Sequence, residues 1–138
     1  MVIEHHPFTV NEKGHLAIGG LDTVELAKEF GTPLYVYDLA RIRKNSRAFV
    51  RSFEEVGVKA KVSYASKAFS SLAIVEVMKE EGLGLDVVSD GELYTAIKAD
   101  FPPEKIQFHG NNKSLRELEM ALDYNVGIGI SDSYSKIT

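Results

Sequence analysis

One lysine in this chain stands where amine chemistry is possible. In "KVSYASKAFSSLAIVEVMKEEG", residues 61–82, Lys67 follows an apolar run and precedes two serines and a helical pattern. A lysine held desolvated over a pocket is a nucleophile that can form a Schiff base with a carbonyl. A solvated loop lysine does neither, and composition alone favours that second reading. Other polar residues fall at comparable places: Asp38 after "LYVY", Ser66 beside Lys67, and Ser89, Asp90 and Glu92 after "LDVV". His109, Asn111 and Asn112 follow "IQF", and Asp132 follows "VGIGI". Asp86 is the unusual one, a carboxylate inside an apolar run; a buried carboxylate needs a partner, and a lysine on the neighbouring strand is the obvious candidate.

Plainer accounts exist for most of these. Ser71, Ser89, Ser114 and Asp38 suit helix N-caps. His109 is equally explained as a strand-end histidine satisfied by a backbone group, and "HGNNKS" as a tight loop of turn formers. His5 and His6 read as terminal and exposed rather than as ligands, and no metal site is expected.

The elements that must position these residues follow from periodicity and punctuation. "KGHLAIGG" is a weak strand. "LDTVELAKEFGTP" is a short helix with Asp22 at its N-cap, Glu25 placed as in a capping box, and Gly31 and Pro33 ending it. "PLYVY" reads as a strand from its aromatic and β-branched content. "LARIRKNSRAFVRSFEEVG" is a helix that Gly57 stops. A regular alternation follows: strand "KAKVSYA", helix "SSLAIVEVMKEEG", strand "GLDVVS", helix "GELYTAIKAD", strand "KIQFHG", helix "SLRELEMALDYN" and strand "VGIGIS". Ser114 and Glu117 form a second capping-box pattern. Repeated βα units predict an α/β fold with parallel strands. About five such units suit either a small open sheet or roughly the first half of a (β/α)8 barrel, which needs about 250 residues when complete. In either architecture sites gather at the carboxyl ends of strands, where the polar residues above fall.

Bulk properties exclude several classes. The 138 residues are 44% hydrophobic and 26% charged, with 16 Lys and Arg against 20 Asp and Glu and a net charge of -4. That supports a folded core and offers no basic stripe for nucleic acid or an anionic membrane. No cysteine is present, so disulfides, thiolate metal sites and cysteine nucleophiles are out. "MVIEHHPFTV" lacks the basic and apolar regions of a signal peptide, so a cytoplasmic location is expected. No apolar run approaches the roughly 18–20 residues of a membrane span. There is no phosphate loop, dinucleotide fingerprint, H-E-x-x-H or nucleophile elbow.

Five blocks in register, "GTPLYVYD", "YASKAF", "EEGLGLDVVSDGELYTA", "IQFHGNNKS" and "SDSYSKI", carry a resemblance across nearly the whole chain. They resemble the N-terminal part of the diaminopimelate decarboxylases. These belong to the alanine-racemase-like barrel class of pyridoxal-phosphate enzymes, with the ornithine and arginine decarboxylases. The resemblance implies a (β/α)8 TIM-type barrel followed by a β-rich C-terminal domain. Residues 1–138 are then a single unit, the first half of the barrel, without the C-terminal domain. It implies pyridoxal 5'-phosphate as cofactor, conversion of meso-diaminopimelate to L-lysine and carbon dioxide in lysine biosynthesis, and a homodimer.

By the same resemblance, Lys67 matches the lysine that holds the cofactor. Asp86 and Glu92 match acidic positions near it with Ser89 between them, and His109 matches the histidine of "HGNNK". The family's glycine-rich phosphate loop, stacking histidine and pyridine-nitrogen glutamate fall after Thr138. Little activity is therefore expected of these residues alone, and an open strand edge favours self-association. The alternative is a non-catalytic half-barrel remnant or interaction module; "HGNNKS" disfavours a racemase-type relative. Asp90 and Asp100 stand where the family commonly has glycine. A positive φ at position 90 would suit aspartate less well than glycine.

Overall fold

The structure, a computed structural model, describes residues 8–129. His5, His6, Asp132 and the closing block at 131–137 lie outside the described residues. The chain divides into two compact units, one running to Asn45 and one beginning at Ser46.

The first unit holds an antiparallel sheet of β1 (Phe8–Val10), β2 (Leu16–Ile18) and β3 (Leu21–Asp22), followed by α1 (Thr23–Phe30). Asp22 caps α1, its Oδ1 accepting from the Val24 and Glu25 amides, and Gly31 closes the helix. Its other oxygen, Oδ2, accepts from Asn11 Nδ2 at 2.8 Å and lies 2.9 Å from His15 Nδ1. The "PLYVY" segment is no strand: residues 34–37 join neither sheet and are exposed, Tyr35 by 86%. Strand propensity measures the fit of a side chain to a pleated, half-buried surface. Without a ladder partner these residues have the composition of a strand and no sheet to join.

The helix α2 (Leu39–Glu55) starts where Asp38 accepts the Arg41 amide at 3.0 Å and ends in a turn at Gly57, the Val58 amide reaching back to the Phe53 carbonyl. In the second unit the alternation is as expected: β4 (Ser63–Ala65), α3 (Leu72–Glu80), β5 (Gly84–Val87), α4 (Asp90–Lys98), β6 (Ile106–Phe108), α5 (Leu115–Asp123) and β7 (Ile128–Gly129). All three strand pairings are parallel. The strand order is sequential, β4-β5-β6-β7. A doubly wound sheet would reverse that order at a switch point. Sequential parallel strands with right-handed crossovers put successive helices on one face, as in a barrel wall. Here α3 packs on β5, and α4 packs on both α3 and α5.

The three helices share start and stop chemistry. Ser71, Ser89 and Ser114 cap their N-termini, the last two within full capping boxes. At their C-termini an amide reaches back five residues: Leu83 to Met78, Phe101 to Ala96 and Val126 to Ala121. In each case the residue before that amide has positive φ: Gly82 at 75°, Asp100 at 49° and Asn125 at 56°. This left-handed closure places an apolar residue against the turn it leaves. Leu83 and Phe101 are accordingly buried, among a core of Ile74, Val75, Met78, Leu85, Val87, Leu93 and Ile106. Asp100 therefore occupies a left-handed site, whereas Asp90 is the first residue of α4 and needs no positive φ.

Candidate functional site

Side chains alternate across a strand, so the sheet of the second unit has two faces. Leu85, Val87, Ile106 and Phe108 point to the helices and are buried. The pairings Ser63↔Gly84, Ala65↔Asp86 and Asp86↔Gln107 put those residues on the other face. That face is small and polar. Gln107 Nε2 donates to Ser63 Oγ at 3.2 Å, and a Cβ on Gly84 would clash with the same oxygen.

His109 lies two residues beyond Gln107 and continues this face. Its Nδ1 is hydrogen-bonded to Asp86 Oδ1, and its amide donates to the Val87 carbonyl at 3.1 Å. The partner of Asp86 is thus the histidine of the following strand and not the expected lysine. The reason is register: β5 and β6 run together to Val87↔Phe108, so His109 arrives beside Asp86. Lys67, in contrast, has already left β4. It sits in a single 3₁₀ turn, Ser66–Ala68, with an exposed side chain. The pair itself remains accessible, with side chains 35% (His109) and 26% (Asp86) exposed.

The Lys67 turn is tied to the same place. Ser66 is buried and its Oγ donates to the Asp86 carbonyl at 3.0 Å, while the Tyr64 hydroxyl donates to the Phe69 carbonyl at 3.0 Å. Lys67 itself has no hydrogen bond or ion pair among the described residues. An exposed amine, an imidazole and a carboxylate thus stand at the carboxyl ends of three adjacent strands.

Ser89 and Glu92 take a different part. Glu92 is buried, and its Oε2 accepts from the Val88 amide at 2.8 Å, the Ser89 amide at 3.0 Å and the Ser89 hydroxyl at 3.1 Å. The Glu92 amide returns a bond to Ser89 Oγ at 3.3 Å. These residues shape the loop after β5 from within. Asp90, Asn111 and Asn112 are exposed, and Asp38 belongs to the first unit.

Nothing in the sequence pattern singles out Lys113, yet it is among the few buried charged residues. Its Nζ donates to the Val88 carbonyl and lies 4.0 Å from the centroid of the Phe108 ring. The only available signal was a lysine closing a loop behind a strand-end aromatic residue. Nearby, the Ser114 backbone N–H holds the Glu117 carboxyl below the ordinary glutamate range, with Lys113 adding attraction.

Other features are plainly elsewhere. An open cavity of about 700 Å³ lies against the amino ends of the strands, lined by residues such as Val58, Lys61, Gly82 and Lys105, and includes none of the five candidates. Among the described residues no group of three or more His, Asp or Glu side chains is arranged to hold a metal. No helix among them is long and apolar enough to cross a membrane.

Comparison with known proteins identifies the family and the fold. A family model described as "Pyridoxal-dependent decarboxylase, pyridoxal binding domain" matches residues 39–138. The chain is 59% identical over 133 residues to a diaminopimelate decarboxylase of Bacillus methanolicus, covering 96% of this chain and 31% of the relative. To that of Bacillus subtilis it is 56% identical over 127 residues, covering 92% and 29%. Among solved structures, a diaminopimelate decarboxylase from M. jannaschii superposes with a TM-score of 0.82 at 40% identity, covering 95% of this chain and 31% of that one. A lysine decarboxylase from Selenomonas ruminantium gives 0.75 at 27% identity, covering 96% and 32%. The chain thus spans about a third of the length of the relatives it matches, and its fold is similar to the N-terminal part of their barrel.

Proposed function

Because the chain belongs to the pyridoxal-dependent decarboxylase family, we propose that it forms the N-terminal portion of a barrel that converts meso-diaminopimelate to L-lysine and carbon dioxide. The observation that carries this reading is the exposed Lys67 amine one turn beyond β4, tethered through Ser66 to the residue whose carboxylate pairs with His109. Relatives that are 59% and 56% identical over nearly all of these residues are named diaminopimelate decarboxylases, which supports the substrate.

The donor set suits an aldehyde cofactor. A primary amine at the carboxyl end of a parallel sheet can hold the aldehyde carbon, and the half-exposed His109 ring stands at the carboxyl end of another strand of the same sheet. Bound pyridoxal phosphate supplies an electron sink for breaking a bond at the substrate's α-carbon. Lys67 is the residue that would hold the cofactor through Nζ. Asp86 fixes the ring of His109 through its Nδ1, leaving Nε2 available to a bound molecule. Ser89 and Glu92 hold the loop after β5 in shape, so that the Asp86 end of the strand stays put. We further propose that the active form is a homodimer in the cytoplasm, that these residues associate with one another through their open sheet edge, and that alone they release little carbon dioxide.

Two experiments test this. Borohydride reduction after incubation with pyridoxal phosphate, followed by peptide mapping, is expected to leave the adduct on Lys67 and none in Lys67→Ala. Labelling spread evenly over the surface lysines would favour the non-catalytic remnant. Exchanging this chain for the matching residues of the Bacillus methanolicus enzyme tests the substrate. The chimera is expected to release carbon dioxide from meso-diaminopimelate, and the chimera carrying Lys67→Ala to release none. Family-typical turnover by the 138 residues alone would overturn the claim that they are insufficient.

A further inference from the structure

We propose that Lys113 is a positioning residue that locks the loop after β5 to the loop after β6 and so holds His109 against Asp86. The inference rests on the reading above only in supposing that these two loops face the cofactor.

The paired ladder between β5 and β6 ends at Val87↔Phe108. One backbone bond continues beyond it, from the His109 amide to the Val87 carbonyl. Beyond it the Val88 carbonyl takes no backbone donor among the described residues. Lys113 Nζ supplies that donor from the far side of the "HGNNKS" loop. Val88 is then gripped at both ends, Glu92 taking its N–H and Lys113 its carbonyl.

Three independent features show that the position is built for an ammonium group. Lysine is rarely buried, yet Lys113 is only 9% exposed. Its Nζ lies 4.0 Å from the Phe108 ring centroid, within cation–π range. Gly110 makes the room: its φ is +125°, and a Cβ there would stand 3.1 Å from Nζ. One side chain thus joins the loop that ends at Ser89 and is held by Glu92 to the loop that begins with His109. The pair Asp86–His109 spans that same junction, so its geometry depends on the two loops moving together.

The test uses the whole chain. In Lys113→Met, which keeps an unbranched apolar chain and removes the donor, amide hydrogen exchange at Val88, Ser89 and His109 is expected to speed up by about tenfold. Exchange at Val75 and Leu83 in the core is expected to stay as it was, and Lys113→Arg, which retains donor and cation, to restore most of the protection. The ring resonances of His109 are expected to move toward those of histidine in a short peptide. If the Met variant does not fold, Lys113→Leu, which also lacks a donor, is read the same way. Unchanged exchange at the three amides, or equal acceleration at Val75 and Leu83, would overturn the proposal, as would an Arg variant no better than Met. In a second arm, the pyridoxal phosphate concentration that half-saturates trapping on Lys67 is expected to rise at least about threefold in Lys113→Met. If the unaltered chain traps none on Lys67, the cofactor reading fails while the exchange measurements still decide the role of Lys113.

Discussion

Replacing Glu92 separates loop shaping from loss of packing. In Glu92→Met the methylenes remain and all acceptors go. The Val88 and Ser89 amides then lose bonds of 2.8 and 3.0 Å, and the Ser89 hydroxyl loses one of 3.1 Å while keeping the Glu92 amide as a donor to it. A fully buried amide left without a partner costs about 1–3 kcal/mol; these two are part-buried, so water reaches them and about 1 kcal/mol each is appropriate. Loss of the negative charge in the first turn of α4 adds roughly 0.5 kcal/mol. The sum is about 2–3 kcal/mol. Glu92→Gln keeps an acceptor of the same reach and loses the charge, and charge-assisted bonds are about twice as strong as neutral ones, so about 1 kcal/mol is expected. Urea unfolding followed by circular dichroism measures the order wild type, Gln, Met, with the slope m constant across the three. A Met variant within about 0.5 kcal/mol of wild type, or a Gln variant as unstable as Met, would refute the view that this carboxylate holds the loop through hydrogen bonds.

Asp100 sits at φ 49°, so Asp100→Gly relieves a left-handed conformation and is expected to raise stability by about 0.5–1 kcal/mol in the same assay; a loss would contradict it. Gly127 lies against the backbone of Glu104, where a Cβ would come within 2.8 Å of Cα and O, so Gly127→Ala is expected to cost about 1–3 kcal/mol, and a neutral result would mean that the Pro103–Lys105 turn yields freely. His15, with Asn11 and two amides, holds the Asp22 carboxyl far below the usual aspartate range, and the Ser114 amide lowers Glu117. Both carboxyls stay charged in the folded state at pH values where the unfolded chain protonates them. Their contribution is therefore complete above about pH 5 and declines as pH falls through 4 and below. Unfolding midpoints between pH 6 and 3 are expected to drop less steeply in Asp22→Asn, and an unchanged profile would remove Asp22 from the acid response.

Much of the fold is local chemistry and was readable as such. Serine caps, left-handed closures and apolar spacing define α3, α4 and α5 because each depends on residues within one or two turns. The same holds for Lys67, whose place after a strand and before a helix is a matter of order along the chain. Pairing across strands is not local. "PLYVY" has strand composition, but only a ladder partner could make it a strand, and the described residues provide none. The sequential strand order, which separates a barrel wall from a doubly wound sheet, is equally invisible to periodicity. Asp86 shows the point most sharply. Its residue type and apolar surroundings demanded a partner, but which one was decided by the register of β5 on β6, which brings His109 beside it and leaves Lys67 beyond the end of β4. Lys113 is the extreme case: its role exists only because three stretches of chain meet around one ammonium group. Sequence determined which groups were available and where each helix begins and ends; only the tertiary structure decided which of those groups touch, since contact depends on long-range register that no short window of residues encodes.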